Sequence, residues 1–201
     1  SEEDIIFLNS IESVSSIAVK NSRLYEKAYE EARTDELTGL LNRKYFYGML
    51  EDAYEKCSRT SLALAIFNVD DFKLYNQLYG MKEGDAALQN AAKIISATVG
   101  ERGYVARYSG KEFAAALPDF DVLAARNIAE SIRMQILNMN KRATDYALKV
   151  LTVSCGICTI PYSASNIKQL VENADMAVFS VKRKGKNGVM VYDIGSHIDG
   201  N

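Results

Sequence analysis

The sequence has almost no excess charge: 24 Lys and Arg residues stand against 26 Asp and Glu, a formal net charge of -2. With the signs interspersed, the chain lacks the basic stripe that sequence-independent binding to nucleic acid or anionic lipid requires, so neither is expected as a partner. It has no apolar run near the ~20 residues that cross a bilayer. The opening SEEDIIF has neither the basic start nor the small-residue cleavage site of a secretory signal. There are only three cysteines. That odd number without framework spacing excludes a disulfide-stapled scaffold and suits the reducing cytoplasm. The single histidine, His197, lies in a Gly-rich polar tail (194–201), which excludes a His-based catalytic set. Glycine and proline are missing altogether from Glu2 to Arg33.

That last absence leaves charged and apolar residues alternating at helical spacing, which predicts one long helix over residues 1–33. A heptad seam reads Phe7, Ile11, Val14, Ala18, Asn21, Tyr25, Ala28 and Ala32, with Asn21 at the kind of core position that fixes register in parallel coiled coils. The alternatives are a homodimer through this seam or a helix packing one stripe on its own domain or on a missing neighbour. Beyond it, 34–193 reads as one domain. Asn42 caps a helix to Cys57. Leu62 to Val69 has strand length and composition, followed by helical stretches from Asp71 to Leu78 and from Gly84 to Val99. Gly103 to Tyr108 and Glu112 to Leu117 form a short hairpin around Ser109, Gly110 and Lys111. A helix from Asp121 to Met139, a β-rich run from Leu148 to Ile160, a helix from Asn166 to Lys184 and an edge strand from Gly188 to Tyr192 complete it. Strands interleaved with helices and one hairpin predict an α/β (α+β sandwich) fold with a mixed sheet flanked by helices.

Four stretches carry a resemblance: DELTGLLNRKYF from Asp35, FNVDDFKLYNQLYGMKEGD from Phe67, ARYSGKEF from Ala106 and ADMAVFSVKRKGKNGV from Ala174. In order and spacing they resemble the GGDEF domains of diguanylate cyclases, with SGKEF standing for GGDEF. The helix before them resembles the closing helix of a GAF sensor domain, which implies an upstream GAF-like partner domain in a longer protein.

The resemblance implies a nucleotidyl-cyclase-like fold and a site for GTP, two of which active members condense to cyclic di-GMP. That chemistry needs divalent cations, chiefly Mg²⁺, to neutralise developing charge, and such hard ions take carboxylate oxygens. Asn68 and Lys111 stand where the family has its two carboxylate ligands. Asn68 keeps an oxygen without the charge. A Lys ammonium ~4 Å from a divalent ion repels it by roughly 8 kcal/mol at an effective dielectric of about 20. Asp70 and the adjacent Asp71 are the remaining metal candidates, but strand alternation and the start of the next helix are expected to aim them differently. No metal or other cofactor is expected unless the cyclase is active, in which case it is Mg²⁺.

Other family positions survive. Asn76 and Asp85 match the guanine-recognising pair, and an amide with a carboxylate complements the guanine edge. Phe72 matches the wall of the base pocket, and the amides around Lys73 open a helix suited to phosphate oxygens. Arg107, Lys182 and Lys186 match basic positions associated with the phosphates. Glu112, the fourth letter of the motif, matches a catalytic position. Lys111 reads as a monovalent substitute for the metal, its ammonium on the phosphates. Taken singly, these residues have plain readings too: Asn76 as a polar helix face, Asp85 as a cap, the lysines as solvated surface. The family's inhibitory RxxD element falls on Gly100 and Gly103, so product inhibition there is not expected. Cys155 and Cys158 form a CxxC, but residues three apart on a strand face opposite ways, so the thiols should not converge.

The expected function is therefore a degenerate GGDEF signalling domain without conventional cyclase activity, relaying a signal from an upstream sensor and binding a guanine nucleotide. The alternatives are an active diguanylate cyclase and a purely structural dimerisation or interaction module.

Overall fold

The computed structural model describes residues 14–24, 33–56, 60–139 and 150–193. Residues 14–24 are helical (α1) and exposed on every side, Val14, Ile17, Val19 and Leu24 included. Over these turns no stripe packs on the domain. The seam positions Phe7, Ile11, Tyr25, Ala28 and Ala32 lie outside the described residues, as do Cys57, Leu148 and His197.

Six strands form one mixed sheet: β1 (Leu41–Asn42), β2 (Leu62–Val69), β3 (Tyr104–Ser109), β4 (Glu112–Pro118), β5 (Val153–Ile160) and β6 (Val189–Val191), in the order β1-β3-β4-β2-β5-β6. The end pairs are parallel and the three inner pairs antiparallel. Every residue of the central strand β2 is buried, as its near-continuous apolar run requires when both faces are covered. Its odd-numbered residues Ala63, Ala65 and Phe67 enter one core with α3 (Phe72–Tyr79), α4 (Met81–Val99) and α5 (Val122–Met139). Leu62, Leu64 and Ile66 enter the other, with α2 (Arg43–Lys56) and α6 (Ile167–Arg183).

Local chemistry sets the boundaries. The Asn42 side chain accepts from the Tyr45 amide at 3.0 Å and Asn166 from the Gln169 amide at 2.9 Å, capping α2 and α6. Asp121 does the same for α5 through Ala124 at 2.7 Å. Helix α4 begins at Met81, three residues before the position read from the sequence; only Gly80, at φ 87°, separates it from α3. The glycine reaches that left-handed region without Cβ strain, so one residue suffices to turn the chain. Strand β5 begins at Val153, and of the run read from the sequence residues 150–152 precede it outside the strand. Strand β1, two residues at the sheet edge, has no periodicity to reveal it. Among the described residues no helix is long and apolar enough to cross a membrane.

Gly48 sits exposed within α2, and a Cβ there meets nothing within 4 Å. Gly48→Ala is expected to stabilise the domain by about 0.5–1 kcal/mol. The check is a rise in the urea midpoint at unchanged slope.

Candidate functional site

At the C-terminal end of β2 the hairpin turn between β3 and β4 folds against the strand, the Val69 amide donating to the Lys111 carbonyl at 3.0 Å. Asn68 and Glu112 are direct cross-strand partners, so their side chains share a face. They use that proximity: Asn68 Nδ2 donates to Glu112 Oε1. Ser109 Oγ donates to the other oxygen, Oε2, at 2.6 Å. Glu112 is thus held on both oxygens. Ser109 was not singled out from the sequence, although a hydroxyl in place of the motif's opening glycine was a visible signal.

Asp70 follows the strand and is buried. It accepts from Ser154 Oγ at 2.7 Å, Thr152 Oγ1 at 2.8 Å and the Asn187 amide at 3.1 Å. Its carboxylate therefore serves the junction of β2, β5 and the loop before β6. Asp71, in the left-handed region at φ 49°, opens α3 and takes the Lys186 ammonium at 2.7 and 2.8 Å. That contact raises the Lys186 pKa.

Two adjoining clefts follow. One, of about 640 Å³, is lined by Phe72, Asn76, Met81, Asp85 and Leu88, with Arg107 and Lys111 at the turn side. Asn76 Oδ1 is buried and accepts no hydrogen bond. Asp85 lies inside α4 rather than at its start, so it is not a cap. The second cleft, about 430 Å³, is lined by Asp70, Asp71, Lys73, Lys111, Lys182 and Lys186. Phe72, Lys73, Gln77 and Lys111 border both clefts, which makes them one continuous groove, apolar with an amide and a carboxylate at one end and lysine-rich at the other.

Lys182 has its pKa lowered, first by burial and then by the neighbouring Lys111 charge. Neither Lys111 nor Lys182 has an ion pair among the described residues. Arg107 borders the larger cleft, but both terminal nitrogens of its guanidinium are engaged. Nη1 meets Asp35 at 3.1 and 3.2 Å, and Nη2 donates to the Gly110 carbonyl at 2.7 Å. Burial pushes the Asp35 carboxyl up, and hydrogen bonds from Thr38 and Arg107 outweigh it, leaving the group below its usual range. Asp35 thereby ties the segment before β1 to the hairpin turn.

The residues at the implied Mg²⁺ positions do not fit a divalent cation. Asn68 turns its amide nitrogen to Glu112, Lys111 brings a positive charge, and the Asp70 and Asp71 carboxylates are occupied. Cys155 and Cys158 are buried free thiols that face the two opposite cores, so the CxxC forms no site. Gly103 lies where its Cβ would come within 2.4 Å of the Ala116 carbonyl oxygen, so a side chain has no room at that position.

A family profile described as diguanylate cyclase, GGDEF domain, matches residues 32–188. Diguanylate cyclase A of Treponema denticola is 32% identical over 193 residues, which cover 94% of this chain and 50% of that protein. The uncharacterized protein YtrP of Bacillus subtilis is 31% identical over 178 residues, 88% of this chain and 29% of that protein. The chain thus spans half or less of the length of these relatives. Among solved structures, the coiled coil and GGDEF domain of DgcB from Caulobacter crescentus, in complex with c-di-GMP, superposes with a TM-score of 0.82 at 30% identity. That match covers 92% of this chain and 98% of the other.

Proposed function

Because the chain belongs to the GGDEF family of diguanylate cyclase domains, we propose that it is a signalling member that binds a guanine nucleotide in the groove and does not cyclise it. The observation that carries this reading is the Asn68–Glu112 hydrogen bond. Phosphoryl transfer depends on positioned cations at the developing charge. Here Asn68, at one of the two implied ligand positions, is closed onto Glu112, and Lys111, at the other, adds an opposing charge. The base-side cleft argues for retained recognition: the unpaired Asn76 Oδ1 and the Asp85 carboxylate offer acceptors to the guanine N1–H and N2–H₂ beside the Phe72 ring.

Signal input enters through α1 in this reading, from an upstream sensor of GAF type. The described seam positions Val14, Ala18 and Asn21 are exposed and so open to a second helix, and the DgcB neighbour includes a coiled coil.

The test is calorimetric titration of GTP and of ATP into the purified chain, followed by chromatography of the mixtures. GTP is expected to bind in preference to ATP, with no cyclic di-GMP at any magnesium concentration. Cyclic di-GMP formed in proportion to protein would replace this reading with that of an active cyclase. Absence of any nucleotide binding would leave an interaction module.

A further inference from the structure

Resting on the reading of the groove as a guanine-nucleotide site, we infer that it takes the nucleotide free of magnesium, and that magnesium opposes binding. Four lysines face two aspartates across the polar cleft, and one of those aspartates, Asp70, is already saturated by two hydroxyls and an amide. Only Lys186 is ion-paired, which leaves Lys73, Lys111 and Lys182 without an ion pair among the described residues. Burial and the Lys111 charge destabilise the Lys182 ammonium, a deficit that an incoming polyanion relieves.

Asn68 supplies an independent observation. It is 4% exposed, and with its nitrogen committed to Glu112 its Oδ1 is buried with no hydrogen-bond partner. A neutral amide oxygen beside that engaged carboxylate accepts one N–H from an ammonium, whose remaining protons then face the phosphates. A lysine holds phosphate as a point charge without needing a metal bridge. The Phe72 and Lys73 amides precede the first intrahelical bond of α3, from Tyr75 to Asp71, and add donors at the same place. Magnesium chelated by the triphosphate cancels part of the charge these groups recognise and brings a dication towards Lys111. Complexation in solution and binding in the groove therefore compete.

The experiment is titration of GTP into the wild-type chain in EDTA and in excess Mg²⁺ at matched ionic strength. Affinity at least tenfold tighter in EDTA is expected. Lys111→Met should lose at least tenfold of the metal-free affinity with an unchanged circular dichroism spectrum. The double substitution Asn68→Asp, Lys111→Glu should reverse the sign, so that GTP binds only with Mg²⁺. Wild-type binding that requires Mg²⁺, or that is the same in both buffers, overturns this inference and leaves the guanine-nucleotide reading standing. No GTP binding in either buffer overturns both, and an unaltered affinity in Lys111→Met removes the role given to that lysine.

Discussion

Gly156→Val is expected to destabilise the domain by about 4 kcal/mol or more, at the severe end of single substitutions. Gly156 is the residue of β5 over which α6 passes. A Cβ there would lie 2.1 Å from the Ala174 carbonyl oxygen and 2.4 Å from the Val178 amide nitrogen. Both are backbone atoms of a helix, so no rotamer change relieves the clash; α6 must lift from the sheet. Lifting it would separate Leu170, Ala174 and Val178 from Leu64, Ile66 and Cys158, the centre of one of the two cores. Against a total stability of about 5–15 kcal/mol such a loss consumes much of the margin. Urea unfolding followed by circular dichroism measures it. A midpoint within experimental error of wild type would mean that α6 is far more loosely seated than the backbone approach implies.

Gly84→Ala is expected to behave in the opposite way, sparing the fold and removing nucleotide affinity. The added Cβ would fall 1.8 Å from Asn76 Oδ1 and 3.2 Å from the Phe72 ring. Here the obstacle is the end of a side chain, which can swing away, so stability changes little. The amide that swings away is the one that the proposed function sets against the guanine base. A nucleotide left with unpaired polar groups in an apolar cleft forfeits about 1–3 kcal/mol, or roughly five- to 150-fold in affinity. Titration with GTP beside a thermal melt separates the two effects. Full affinity in this variant would show that Asn76 does not read the base.

Most of the architecture was legible because period, turn chemistry and capping agree along the chain: the run at Leu62, the SGK turn and the caps at Asn42 and Asn166 each settle locally. What escaped depends on distant partners. Strand β1 exists because Leu41 and Asn42 meet Ala106 and Arg107, more than 60 residues on. The early start of α4 is a local exception: Gly80 turns the chain alone, so Met81 to Glu83, between the two helical stretches read from the sequence, already belong to the helix.

At the site, nothing in the string says that Thr152, Ser154 and Asn187 converge on Asp70. Arg107 occupies a position the resemblance links to phosphate, whereas its guanidinium is engaged by Asp35 from a different motif. For Asn68, identity alone revealed a lost charge. That its nitrogen then bonds Glu112 is a property of register, which only the paired strands supply.

The strand order also has a temporal side. β2 must wait for β4 and then β5, since Leu62 pairs with both Pro118 and Ile160. During synthesis at about 5–20 residues per second, this largely apolar strand stays uncovered for on the order of ten seconds. Pairings so far apart also slow refolding of the released chain. The segment Leu62–Val69, inert once folded, is thus the one that a nascent chain has most need to have shielded, and the one through which crowded, half-made copies would find each other.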